Sequence, residues 1–88
     1  MDLARVVGRV VCTQKDASLV GRTLLLVQPV TVEGHDIGKP LIAVDAVGAG
    51  AGENVFYVTG REASFAFNPD HVVADASVVG IIDQLSLL

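Results

Sequence analysis

Aromatic residues are scarce in this 88-residue sequence: three phenylalanines, one tyrosine and no tryptophan. A groove for single-stranded nucleic acid needs exposed rings on which bases stack, and a basic lining around them. Neither is present, because 6 basic residues face 10 acidic ones and the net charge is -4. That balance gives no electrostatic footprint for nucleic acid or anionic lipid. Cysteine is also nearly absent. Cys12 alone cannot form an intrachain disulfide, which suits a reducing cytosol. No apolar run reaches the roughly 18 residues that a membrane-spanning helix requires. Arg5 and Arg9 break up the apolar start, so no signal-peptide core appears there. The expectation is a soluble intracellular protein.

What the chain does have is apolar content: 51% of its residues, against 18% charged. Its length fits a single domain over residues 1–88, and so short a chain buries a modest share of its surface. Surplus apolar surface on a small domain implies a partner or an oligomer.

Period-2 patterning predicts strands at 5–13, 23–28, 41–47, 55–59 and 77–83. In the first, Val6, Gly8, Val10 and Cys12 share one face, Arg5, Val7, Arg9, Val11 and Thr13 the other. Gly8 marks a bend or bulge, and Cys12 is expected to point inward as a small apolar filler. Residues 15–21 read as a connection, and Pro29 ends the second strand. Residues 33–40 carry turn chemistry and form an exposed loop. A short helical turn is expected over 61–67, closed by Asn68-Pro69-Asp70. Five short strands and almost no helix predict an all-β fold, a small barrel or sandwich.

The densest signal is Val44-Asp45-Ala46-Val47-Gly48-Ala49-Gly50-Ala51-Gly52-Glu53. Alternating glycines, with only alanine between them, ask for close approach along the loop. A dinucleotide fingerprint fails because Glu53 stands where its third glycine belongs. A phosphate-binding loop fails because the segment ends Gly52-Glu53-Asn54, without lysine and serine or threonine. The following residues predict a strand, so the loop joins two strands, and the approach is to protein.

No catalytic constellation emerges. His35-Asp36 and Asp70-His71 would be halves of a metal site only if their loops met, and histidines in turns are ordinarily solvated. Asp45 and Asp83 each interrupt an apolar strand; paired carboxylates can do acid–base work, but accepting backbone hydrogen bonds at a strand end is the simpler role. Glu53 is expected to pair with an arginine or with loop amides.

In order along the chain, Val6-Val7-Gly8-Arg9-Val10-Val11, Thr13-Gln14-Lys15-Asp16, Leu19-Val20-Gly21 and Leu24-Leu25-Leu26-Val27-Gln28-Pro29 resemble the EutN/CcmL family. The resemblance continues through Ala43-Val44-Asp45-Ala46-Val47-Gly48-Ala49-Gly50 and Gly52-Glu53, and closes with Asp75-Ala76 and Gly80-Ile81-Ile82-Asp83. It implies an all-β fold, a small five-stranded OB-like β-barrel with one short helical turn, assembled as a homopentamer that caps the vertices of a bacterial microcompartment shell in the cytoplasm. The implied partners are copies of itself and hexameric shell proteins, with no nucleic acid, membrane, cofactor or catalysis. It also suggests that Lys15, Asp16, Gly48, Ala49, Gly50, Ala51, Gly52 and Glu53 lie at a subunit interface or in an axial loop. The family commonly carries Gly-Ser-Ser-Ala-Arg after the fourth strand; here Gly60-Arg61-Glu62-Ala63-Ser64 keeps the glycine and alanine and loses the serines and the arginine. Arg61 and Arg22 are the candidates for a substitute charge. A barrel that binds a small ligand or single-stranded oligonucleotide is the alternative.

Overall fold

A computed structural model of the chain describes residues 1–70, 72 and 74–85. Its strands are β1 (Asp2–Val10), β2 (Leu24–Pro29), β3 (Leu41–Asp45), β4 (Asn54–Thr59) and β5 (Ala76–Ile81), with one short helix, α1 (Arg61–Phe65), between β4 and β5. A single 3-10 turn, Ala17–Leu19, follows β1. The strands close into a barrel in the order β1-β2-β3-β5-β4. Every pairing is antiparallel except β3 with β5, which is parallel. Closure leaves no long edge on which another strand could aggregate.

The interior suits the small circumference. Barrel diameter grows with strand number, so five strands leave room for short side chains. Val6, Val27, Val55 and Val78 are the largest apolar side chains fully buried, and Ala4, Leu25, Ala43 and Tyr57 pack with them. A second cluster forms outside the wall, where Leu24 and Val44 are covered by Phe67 and Val72.

Two bulges interrupt the ladders. Val6 pairs with Val27 but Gly8 with Leu26, so Val7 is skipped; Phe56 pairs with Gly80 but Tyr57 with Val78, so Val79 is skipped. A one-residue insertion flips each later side chain to the opposite face. The bulge expected at Gly8 is therefore present, but the regular alternation drawn through it does not hold. Val6 points inward, Gly8 and Val10 lie with outward-facing Leu26 and Leu24, and Arg9 stands opposite the interior Leu25.

Other expectations need correcting. β1 ends at Val10 and not at Thr13, so Cys12 is exposed and fills nothing. β3 ends at Asp45, because its carboxylate takes the next amides of the chain. β2 includes Pro29 as its last residue, paired with Ala4. The loop over 33–40 is exposed as expected. It is held from below by Gln28, whose Nε2 donates to the carbonyls of Pro29 at 3.0 Å and of Ile37 and Gly38 at 3.3 Å.

Candidate functional site

The glycine-rich segment joins β3 to β4, which are not neighbours in the barrel, so it must cross one mouth of it. Asp45 starts the crossing. Its Oδ1 accepts from the amides of Val47 at 3.0 Å and Gly48 at 3.1 Å, and its Oδ2 from that of Ala49 at 3.0 Å. A carboxylate satisfying three amides replaces the ladder bonds that the strand gives up on leaving the sheet. Asp45 thus plays the simpler of the two roles expected of it.

Two of the glycines are dictated by the chain's own path. Gly48 and Gly52 both have φ of 82°, and a Cβ on either would meet nothing within 4 Å. Positive φ, not crowding, selects glycine there. Gly50 differs: its φ is ordinary, its amide donates to Glu53 Oε1 at 2.5 Å, and an added Cβ would lie 3.3 Å from that oxygen. Glu53 consequently binds a loop amide, one of the two partners expected for it.

The loop backbone bonds to β1 of the same chain, although no crowding at Gly48 or Gly52 calls for a small residue there. Gly52 N–H donates to the Val6 carbonyl at 2.8 Å, and Val6 N–H donates to the Glu53 carbonyl at 2.9 Å. These bonds carry the β1–β4 ladder onward into the loop, beside the bulge at Val7. Ala49 turns inward and joins the core. The loop therefore forms a firm lip on the barrel mouth, with the amides of Val47, Gly48, Ala49, Gly50, Gly52 and Glu53 all bonded to the chain's own carboxylates and carbonyls.

Gly48 to Glu53 are brought together in this way; Lys15 and Asp16 belong to a separate feature. Asp16 caps the 3-10 turn, accepting from Ser18 N at 2.8 Å, and that hydrogen bond lowers its carboxyl pKa below the ordinary value of 3.8. Lys15 is exposed, with no ion pair or hydrogen bond among the described residues.

The departure at 60–64 has a local explanation. Ala63 is fully buried, and its carbonyl accepts a 2.6 Å hydrogen bond from the buried Ser77 hydroxyl, tying α1 to β5. Ser64, at the position of the family's arginine, donates from Oγ to the Ala74 carbonyl at 3.4 Å. Arg22 pairs with Asp70 at 2.7 Å and lies over the Phe67 ring, 4.9 Å from its centroid. Its charge is therefore committed to Asp70. Arg61 has no such partner among the described residues.

No group of three or more metal-ligating side chains occurs among the described residues, and no helix there is long and apolar enough to cross a membrane. His71 lies outside the described residues. Asp83 follows β5 in an exposed position, without a hydrogen bond among the described residues. Sequence reasoning missed Ser77 and Gln28, both buried polar residues. Their signal was a polar side chain inside an apolar strand, the same signal that singled out Asp45.

The family described as ethanolamine utilisation protein EutN/carboxysome matches residues 1–83. The shell vertex protein PduN of Salmonella typhimurium is 47% identical over 90 residues, spanning 98% of this chain and 99% of that protein. The structure of the pentameric microcompartment shell protein GrpN from Rhodospirillum rubrum superposes with a TM-score of 0.90, at 41% identity and full coverage of both chains. That of CcmL from Gloeobacter violaceus gives 0.89 at 38% identity, covering 99% of this chain and 90% of the other.

Proposed function

This chain belongs to the EutN/CcmL family, and from that premise we propose that it is a structural shell protein whose five copies close into a ring at the vertices of a bacterial microcompartment. The observation that carries this reading is the end-to-end likeness, in sequence and in barrel, to shell vertex proteins that include a pentameric one. Its mechanism is geometrical. Five-fold rings set among six-fold tiles introduce the curvature that closes a polyhedral shell, and no step of that work needs a bond made or broken. The ring's rim meets hexameric shell proteins, and the assembly lies in the cytoplasm.

Physical features of the single chain support assembly. Val7, Ile42 and Phe65 are 45%, 55% and 55% exposed, a large apolar display for so small a domain. A cyclic ring uses two different complementary patches on each copy, so such surface has somewhere to go. Within the ring we assign Gly48, Ala49, Gly50, Ala51, Gly52 and Glu53, together with Lys15 and Asp16, to the subunit seam or the axial opening. The lip formed by the glycine loop is rigid and bears few side chains, properties suited to a place where neighbouring backbones converge. Native mass spectrometry tests the reading: five copies of the 9.1 kDa chain weigh about 45.5 kDa. A dominant species at that mass supports the vertex role, and a monomer at working concentration overturns it.

A further inference from the structure

The bulge at Val7 also moves a charge. By bringing Arg9 opposite Leu25, it turns that side chain to the same side of the wall as Leu25, at the mouth that the glycine loop borders. There Arg9 lines a pit of about 240 Å³ together with the buried Val6, Leu25 and Ala49 and the Gly50-Ala51 turn. Arg5 and Arg22 each hold an aspartate, at 3.1 Å and 2.7 Å. Arg9 has no ion pair or hydrogen bond among the described residues, and it is exposed in the isolated chain. An unpaired cation on the wall of an apolar pit fits an occupant that is apolar at its tip and anionic beside it.

The chain itself carries that chemistry elsewhere on its surface. Apart from Asp2 beside Met1, whose charge acts on Tyr57, exposed carboxylates without hydrogen-bond or ion-pair partners among the described residues adjoin exposed large apolar side chains at three places. Glu33 follows Val32, Glu62 lies one helical turn from Phe65, and Asp83 is two residues from Leu85. We propose that the Arg9 pit receives an apolar side chain and its adjoining carboxylate from the next copy in the ring. The inference rests on the five-fold reading above and deepens it by naming one half of the seam. A ring contact is heterologous, so an unpaired cation on one patch and an unpaired anion on the other satisfy each other around the whole circle. The apolar walls shield the pair from water, which gives it a strength that an exposed surface pair lacks.

The test compares ring dissociation by native mass spectrometry and sedimentation across a dilution series. Arg9→Glu raises the protein concentration at half-dissociation by at least about tenfold, the effect of juxtaposing like charges at a desolvated contact. Arg9→Leu keeps an apolar stem without the charge and gives a smaller rise; far-UV circular dichroism matching the unaltered chain establishes that both variants fold. On the Arg9→Glu background, one of Glu33→Lys, Glu62→Lys or Asp83→Lys restores the original dissociation curve. Restoration by one of them identifies the partner carboxylate and supports the proposal. An unchanged curve for Arg9→Glu overturns it, as does failure of all three reversals, which would leave the pit to small anions from solution. If the unaltered chain forms no ring, the five-fold reading itself falls before any substitution is made.

Discussion

The ring of Phe56 lies directly on Gly80, its cross-strand partner, so closely that a Cβ on Gly80 would come within 2.2 Å of Phe56 Cζ. β4 and β5 thus meet through an aromatic ring laid over a bare backbone, one residue from the bulge at Val79. Such a pairing covers a glycine that would otherwise weaken the strand.

Gly80→Ala therefore forces Phe56 out of its place. The expected cost is about 1–3 kcal/mol, the range for overpacking a fitted site. Chemical denaturation checks it, and the double variant with Phe56→Leu should recover part of the loss. Additive effects of the two substitutions would show that ring and glycine are not coupled.

Asp45 supports the lip through three amides. Asp45→Ala leaves those donors without their carboxylate, and the expected loss is about 2 kcal/mol, within the range for hydrogen bonds to charged groups. Hydrogen exchange should localise the effect, with faster exchange at Val47, Gly48 and Ala49 and little change at β2.

The glycines divide into two classes with different signatures. Gly48→Ala and Gly52→Ala impose positive φ on a residue with a Cβ, and each should destabilise the monomer by about 1 kcal/mol. Gly50→Leu has no such backbone penalty. It should act on assembly, shifting the native mass spectrum from ring toward monomer while circular dichroism stays unchanged. A ring as robust as the original would place Gly50 away from the seam and the axis.

Tyr57 sets an alkaline limit. Burial, and to a lesser extent the negative charge of Asp2, raises its phenol pKa above the ordinary 10.0. A group whose pKa is higher in the folded state contributes stability in full below the unfolded value and loses it as pH rises beyond. Stability should therefore fall once pH passes 10, and Tyr57→Phe should flatten that fall. Denaturation midpoints across pH 9–12 for both proteins check the sign.

Much of the fold could be read along the chain because burial in a barrel imposes period 2 on the sequence. Val55 to Thr59 keeps that period unbroken and falls inside β4, whereas Leu24 to Val27, in β2, is covered on both faces and shows instead as a continuous apolar run. The expected chemistry of Asp45 and Glu53 was legible for a similar reason, since a carboxylate within or beside apolar residues must be matched by nearby donors. Errors gathered where a long-range contact reset the count. Cys12 was placed inward by continuing the alternation past Gly8, but the bulge at Val7 shifts the faces and β1 ends at Val10. Gly8 announces a bulge within residues 5–13, but not which residue is skipped or which face the later side chains take. The shift is tied to the register with β2 and to the bonds between Val6 and the Gly52-Glu53 backbone, both far away in sequence.

The sequence by itself determined the composition of the core, the positions of the strands and the small size of the residues at the barrel mouth, because side-chain volume, polarity and backbone freedom belong to each residue wherever it goes. The tertiary structure decided strand order, the parallel pairing of β3 with β5 and the face on which Arg9 stands. Those depend on register, and register is fixed only when distant segments pair and the hydrogen bonds of each strand are satisfied by another.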